Sequence, residues 1–408
     1  MRGLLGWVLL LALAWAFSEN RRQIPWRIVA GGLGLQIALA LLLIDVPLAR
    51  SAVLLLNSGA DALQRATDDG TGFLFGYLGG GNLPFLETRP GASLILAFKI
   101  LPLVLVISAL GSLLFHWGVL QRITAGFAFL LRRVIGVDGP LALAAAVHIF
   151  VGNIEAPLLI RPYLLGMQRG ELFAIMSCGM AGIAGTVMVI YGTILGPVLP
   201  NALGTIIVAS VISTPAALAI SALMVPFRSS TVTAAVEVSR TPTLGSLDAL
   251  VRGTADGIGP LVGITTTLLV AVSLVSLINM GFAALPGAPT LQGLFALPFR
   301  PVLWLIGIPW DQTAAAALLM GTKTVVNEFV AYLGLAALPT GTLDERSRVI
   351  ITYAMCGFAN FGSLGIVVGG MGAMVPERRA EITVLGLRSI FAGTLATCMS
   401  GAVAGVLA

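Results

Sequence analysis

Charge is what this chain has least of. Of its 408 residues only 23 are Lys or Arg and 18 are Asp or Glu, 10% in all, too few to cover a globule of this size with a mixed-sign surface. Apolar residues make up 57% and the mean hydropathy is +0.99, a balance that belongs to a bilayer and excludes a soluble enzyme. Alternation of apolar and polar residues is missing as well. The runs 3–17, 28–48 and 92–117 are long and predominantly apolar, which excludes a transmembrane β-barrel. Cysteine is scarce: Cys178, Cys356 and Cys398 each lie inside an apolar segment without the spacing of a metal or redox motif and read as small core residues. Histidine occurs twice, as His116 and His148, and no H-E-x-x-H is present. The net charge of +5 and sequence pI of about 9.5 come from scattered arginines rather than from a basic, aromatic-interleaved run, so nucleic acid is not a partner.

What is there is a series of spans. A helix needs about 20 apolar residues to cross the hydrocarbon core, and eight segments qualify: 3–17, 28–48, 92–117, 171–200, 203–226, 258–284, 346–375 and 383–407. The first has no small-x-small cleavage site before SENRRQIPWR and is expected to be a short, retained helix rather than a signal peptide. Arginines orient the set. Arg21, Arg22 and Arg27 follow the first span, Arg122, Arg132 and Arg133 the third, Arg228, Arg240 and Arg252 the fifth, and Arg378 and Arg379 the seventh. Those connections are therefore cytoplasmic and both termini are expected outside. The loop 49–91, with Asp61, Asp68, Asp69 and Glu87 against Arg50, Arg65 and Arg89, falls on the outer side.

Two apolar stretches, 141–165 and 314–338, do not fit this count. Each holds a Glu, and each is followed by a span that must begin on the same side. Helical hairpins that enter and leave from one face satisfy both facts, the first from the cytoplasm and the second from outside, as an inverted repeat typical of secondary transporters. Each hairpin is succeeded by a span with a glycine-rich breaker, 179–185 and 357–365. Unwound backbone there needs a partner, and a polar solute or cation is a suitable one; close helix packing is the bland alternative for the glycines. The expected fold class is all-α and polytopic: about eight transmembrane helices, two oppositely oriented re-entrant hairpins, and helices broken at the midplane.

Ionisable groups within apolar segments are functional by default. Glu155, in VGNIEAPLLIRPYL, lies near the first hairpin's turn, with an ion pair to Arg161 as the structural alternative. Glu328, in GTKTVVNEFVAY, has the same place in the second hairpin, with Lys323 as its structural partner. Lys99 and Lys323 are the only lysines; Lys323 is expected to neutralise a buried carboxylate, and Lys99 to reach the interface. His116 beside Trp117 reads as an interfacial pair. His148, seven residues before Glu155, is either a proton carrier or a satisfied core histidine.

At these residues the sequence resembles the concentrative nucleoside transporter family. The matching stretches are FKILP (98–102), IFVGNIEAPLLIRPYL (149–164), ELFAIMSCGMAGIAGTVMVIY (171–191), PWDQ (309–312), MGTKTVVNEFVAY (320–332) and GFANFGSLGI (357–366), in the family's order. The resemblance implies a homotrimer in the cytoplasmic membrane, importing nucleosides down a cation gradient, each protomer made of a scaffold and a transport domain. The corresponding division is 1–138 for scaffold helices and an interfacial helix, 139–202 for the first hairpin and broken helix, 203–308 for scaffold helices and an external interfacial helix, 309–378 for the second hairpin and broken helix, and 379–408 for the last helix. It also implies Asn153, Ile154 and Glu155 at the nucleobase, and Glu328, Asn360 and Ser363 at the ribose with Phe358 beside them. Carboxylate and amide groups suit both tasks.

The sequence also departs from the family. Its usual Gln at the hairpin tip is Asn153 and the hydroxyl residue after it is Ile154, which leaves the preferred base open. The Asn and Ser/Thr that give side-chain ligands to sodium in sodium-coupled members correspond to His148 and Gly182. The backbone carbonyls of Val151 and Ile183 alone would make a weak site for a hard cation. Proton coupling through His148, or through Glu155, is the expectation, with sodium as the runner-up and no cofactor. Two other classes fit less well. A channel would not need paired hairpins with midplane carboxylates, and an intramembrane hydrolase would need a nucleophile with a base or metal pair that these histidines do not supply.

Overall fold

A computed structural model describes residues 2–88, 93, 95–228, 243–284 and 287–407. Arg89 and Arg240, counted above as loop charges, lie outside the described residues, as does the side chain of Arg50. Among the described residues every regular element is a helix. Six helices are long and apolar enough to cross a membrane: Trp26–Asp45, Leu96–His116, Arg169–Leu195, Ala202–Met224, Ser246–Ala283 and Pro376–Leu407. The shorter apolar helices Arg2–Ala16 and Phe361–Met374 complete the eight expected positions.

Two boundaries differ from the sequence reading. Within 49–91, read as a loop, lies most of the 29-residue helix Pro47–Phe75, with Val46 extended and Pro47 in its first turn. Proline there loses no intrahelical hydrogen bond and presets the helical φ. Asp61, Arg65, Asp68 and Asp69 recur three and four residues apart along this helix, so a hydropathy average cancels its apolar and polar faces. Its polar side chains hold it to its neighbours: Gly204 N donates to Asn57 Oδ1 (3.0 Å), and Thr193 Oγ1 donates to Gln64 Oε1 (3.1 Å). The span read as 258–284 is the last part of a 38-residue helix, Ser246–Ala283, whose first turns are too polar for a hydropathy window.

The centre of the molecule is Ala202–Met224, buried along nearly its whole length. It packs against Trp26–Asp45, Arg169–Ala181 and Arg379–Leu407. Lipid tails are as apolar as the helices, so association rests on close packing and interhelical hydrogen bonds. Both are present: Ser213 and Ser400 hydroxyls are 2.8 Å apart, Gln36 Nε2 donates to Ser400 Oγ (3.2 Å), and Trp7 Nε1 donates to Gln36 Oε1 (3.4 Å). At the arginine-rich end, Arg169 pairs with Glu19 (3.0 Å) and Glu381 (3.4 Å), Arg378 pairs with Glu381 (2.7 Å), and Arg388 with Glu19. Arg378 also donates to the carbonyls of Leu164 and Met167, which ties the end of the first hairpin to the start of the last helix.

A second packing unit joins Leu103–His116 to Ser246–Ala283. Gly253 and Gly257, four residues apart, face Ser108 and Ser112. A β-carbon on Gly253 would lie 2.4 Å from Ser112 Cβ and 2.7 Å from Ser108 O, and one on Gly257 would lie 2.9 Å from Ser108 Cβ. At the C-terminal end of Leu103–His116, His116 Nδ1 bonds the Thr243 hydroxyl and Trp117 Nε1 donates to Ser246 Oγ (3.2 Å), so this pair also pins the start of Ser246–Ala283. Gly253→Val should separate the two helices and destabilise the protein by about 1–3 kcal/mol, read as a lower melting temperature in detergent. Gly263→Ala, where nothing lies within 4 Å of the added carbon, should not lower it.

Candidate functional site

Two helical hairpins and two interrupted helices converge. The first hairpin runs from Gly139–Val147 through 148–154 into Glu155–Leu159 and Arg161–Leu164, its return arm interrupted near Pro157 and Pro162. The second joins Thr313–Val325 to Glu328–Ala336 across Val326 and Asn327. Gly334 closes on Leu319, whose Cδ2 lies 3.1 Å from where a β-carbon of residue 334 would be, so its arms are antiparallel. Asn327 caps the return arm, accepting from Val330 N at 3.0 Å. At the hairpin's base, Gln312 of the PWDQ stretch donates to Asp344 Oδ2 and accepts from Asp344 N, both at 3.1 Å. Asp344 in turn caps Glu345–Met355 through Ser347 N (2.7 Å). Partial burial raises the Asp344 carboxyl, but these hydrogen bonds outweigh it and hold it below its ordinary range.

Both expected breaks are present, each narrower than the glycine spacing implied. Gly179 is helical; the interruption after Arg169–Ala181 is 182–184, before Gly185–Leu195. The other is 356–360, between Glu345–Met355 and Phe361–Met374. The breaks meet: Phe358 N donates to Gly182 O at 3.2 Å. A β-carbon on Gly357 would lie 2.7 Å from Met180 O, so glycine permits this backbone contact. Asn360 caps the second half-helix, its Oδ1 accepting from Ser363 N at 2.7 Å.

Glu328 stands at the first position of its helix with 4% of its surface exposed. Its Oε1 accepts from Tyr191 OH at 2.7 Å and its Oε2 from Asn360 Nδ2 at 2.9 Å. Three of the four expected ribose residues, Glu328, Asn360 and Ser363, are thus joined directly, and Phe358 lies two residues before Asn360. Tyr191 was missed because nothing in an apolar helix marks one buried hydroxyl. Its ring packs on Tyr332 (4.9 Å between centroids) and Phe329 (5.9 Å).

Lys323 departs from expectation. It is fully buried, yet it does not ion-pair with Glu328: its Nζ donates to Ala354 O at 3.2 Å. Tyr332 OH donates to Thr352 O at 3.1 Å. Both carbonyls belong to the last turn of Glu345–Met355, where the break leaves acceptors without helical partners and the helix dipole favours a cation. Tyr191 and Asn360 have taken the carboxylate, and the carbonyl end has taken the ammonium.

The tip of the first hairpin lies against Gly179. A β-carbon there would be 2.8 Å from Asn153 Oδ1 and 3.1 Å from His148 Cε1, and both side chains are buried. His148 Nε2 is buried without a protein hydrogen-bond partner. Ile154 closes on Gly370, 3.0 Å from its missing β-carbon. Glu155 is exposed, folds back over Gly152, and makes no ion pair with Arg161. Val151 is half-buried, and Ile183 is buried with its N–H on Ser210 Oγ (3.5 Å). Around Gly182, the Cys178 and His148 carbonyls and Ser210 Oγ lie 3.4, 3.5 and 3.7 Å from the place a β-carbon would take. Sequence spacing gave no sign of Ser210. A chain of contacts therefore leads from Asn153 through Gly179, His148, Gly182, Phe358 and Asn360 to Glu328.

Family models described as Na+ dependent nucleoside transporter N-terminus and C-terminus match residues 5–78 and 205–405, and one described as Nucleoside recognition (Gate) matches 97–198. An uncharacterized transporter of Haemophilus influenzae is 36% identical over 421 residues, covering 100% of this chain and 97% of its own length. The nucleoside permease NupC of Helicobacter pylori is 31% identical, covering 98% and 96%. Among solved structures, CNTnw in an inward-facing substrate-bound state superposes with a TM-score of 0.90 at 33% identity, covering 100% of this chain and 97% of that one; an outward-facing variant of the same protein gives 0.89 at 32%. Matched along its length in both sequence and fold, this all-helical, multi-pass chain belongs to the concentrative nucleoside transporter family.

Proposed function

We propose that the chain is a cation-coupled nucleoside importer of the cytoplasmic membrane, working by alternating access as a homotrimer with both termini outside. The observation that carries the substrate reading is the buried carboxylate of Glu328, fixed by one hydroxyl and one amide at the end of a broken helix. Each oxygen of an ionised carboxylate has room for about two hydrogen bonds. Tyr191 and Asn360 bond one oxygen each and the backbone N–H of Glu328 bonds the carboxylate as well, which leaves acceptor capacity for a hydroxyl of a ribose. In this reading Ser363 and Phe358 border the sugar, and Asn153, Ile154 and Glu155 read the base from the first hairpin. Residues 139–202 and 309–378 then form the moving part, with 1–138 and 203–308 as scaffold and 379–408 as the closing helix. The outward apolar face of Ser246–Ala283 suits lipid and neighbouring protomers.

For the driving ion the reading is a proton. His148 offers a buried imidazole nitrogen without a protein partner, a natural end for a proton path; Glu155 is the alternative carrier. Sodium is favoured by a different observation, the three oxygens gathered around Gly182. Oxygen ligands are what a hard cation wants, although residues 148 and 182 add no side-chain oxygen of their own.

Three outcomes follow. Glu328→Gln keeps the shape but replaces charge-assisted hydrogen bonds with neutral ones, so nucleoside affinity should fall by about 10–100-fold with assembly intact. Unchanged binding would remove Glu328 from the site. Asn153→Ala should reorder affinities among purine and pyrimidine nucleosides more than it lowers them all, and Gly179→Ala, which displaces Asn153 Oδ1, should reproduce part of that change; a uniform loss would mean that Asn153 only shapes the hairpin. Uptake into proteoliposomes should follow an imposed proton gradient and be indifferent to choline in place of sodium, whereas the double variant His148→Asn, Gly182→Ser should gain sodium dependence. Strong sodium dependence in the unmodified protein would overturn proton coupling.

A further inference from the structure

A second feature lies at the other end of the bundle from the Glu19–Arg169 ion pairs. Helices Arg2–Ala16, Trp26–Asp45 and Arg379–Leu407 enclose an open cleft lined only by apolar residues, among them Gly3, Trp7, Ile37, Leu41, Ala402 and Val406. Gly3 shapes it: a β-carbon there would lie 2.7 Å from Val406 Cγ2 and 3.1 Å from Ala402 O. Nothing in the cleft could hydrogen-bond a nucleoside. An acyl chain needs no hydrogen bonds and fits such a lining.

Beside the cleft, where the first helix meets Phe299–Ile306, the chemistry is the opposite. Arg2, next to Gly3 in sequence, stacks over Trp304 with its guanidinium carbon 5.4 Å from the ring centroid, and Arg300 stacks over Trp310 at 5.0 Å. The two indoles meet edge to face, 6.4 Å apart, so both cations and both rings form one cluster. The Arg2–Ala16 helix is held there by Gly6, where a β-carbon would lie 2.5 Å from Leu305 O. Among the described residues neither arginine has a carboxylate within ion-pair distance, and Arg300 Nε is buried without a hydrogen-bond partner. Stacking occupies a guanidinium's face and leaves its N–H edge for an acceptor, for which phosphate oxygens are a close geometric match.

We propose that this cleft and the cluster that adjoins it at Gly3, which packs on both Val406 and Ile306 O, hold one anionic phospholipid, with the phosphate on Arg2 and Arg300 and an acyl chain between the three helices. Two positive charges without a carboxylate partner among the described residues favour a lipid of net negative charge over a zwitterionic one, whose ammonium would face the same arginines. The site borders transport machinery: Phe299–Ile306 and Trp310 lead directly into Thr313–Val325, the entry arm of the second hairpin. An occupied site braces the base of that hairpin. The tryptophans also suit an ordinary interfacial belt, and selectivity for headgroup charge separates the two roles.

The test is lipid binding to the detergent-purified protein, by native mass spectrometry with phosphatidylglycerol and phosphatidylcholine of identical chains, together with melting temperature. The unmodified chain should retain one phosphatidylglycerol per protomer on the order of tenfold more tightly than phosphatidylcholine. Arg2→Gln with Arg300→Gln should equalise the two lipids, and Leu41→Trp, which fills the cleft from its exposed side, should weaken both. Arg21→Gln is the control, since Arg21 stacks on Trp15 but already donates to Ala16 O; it should leave the preference intact. Equal retention of both lipids by the unmodified chain, the same loss from Arg21→Gln, or equal stabilisation by inorganic phosphate alone would each overturn the proposal. The measurement needs no substrate, so it fails or succeeds independently of the nucleoside reading.

Discussion

A helix that stops inside a bilayer leaves N–H and C=O groups where no bulk water can take them, and the rest of this structure depends on how those groups are satisfied. The chain stops twice at 182–184 and 356–360, and turns twice at 148–154 and 326–327. Each interruption is closed by another. Phe358 N–H goes to Gly182 O, and Gly185 N–H to Phe150 O at 3.0 Å. Lys323 and Tyr332 meet the carbonyl end of Glu345–Met355, and Asn360 meets the amide end of the next half-helix. No hairpin or broken helix here is complete by itself.

The same economy explains how an acid and a base stay buried a few residues apart without touching. A contact ion pair is one way to bury two charges, and the desolvation of both makes it costly. Here each charge has its own polar neighbours, Tyr191 and Asn360 for Glu328 and the last helical turn for Lys323. The carboxylate therefore keeps unused acceptor capacity, which a direct lysine contact would have consumed. Asn360 is the hinge of the arrangement, since its oxygen caps a helix and its nitrogen holds the acid.

Away from the site, small residues do the work that hydrophobic burial does in water. Gly253 and Gly257 bring Leu103–His116 and Ser246–Ala283 into backbone contact, while Gly6 seats Arg2–Ala16 on Leu305. Dispersion falls off quickly with distance, so these positions set how closely each helix pair can pack. Outward faces remain apolar for lipid, and polar side chains such as Gln36, Ser213 and Ser400 bond one another inside.

By itself the sequence determined the class of fold, the positions of the apolar helices, the place of the second break and the buried carboxylate of Glu328. All of these are written in local hydropathy or in a charged residue too costly to bury without purpose. Family motifs supplied Asn360 and Ser363. Periodicity could not recover Pro47–Phe75, whose two faces cancel in an average, nor the polar start of Ser246–Ala283. Only the tertiary structure decided the partners: that Glu328 bonds Tyr191 from 137 residues away, that Lys323 serves a carbonyl instead of the nearby acid, and that Gly179 makes room for Asn153 and His148 while the chain breaks three residues later. Contacts between distant segments depend on which helices cross, and that is a property of packing that one-dimensional spacing does not contain.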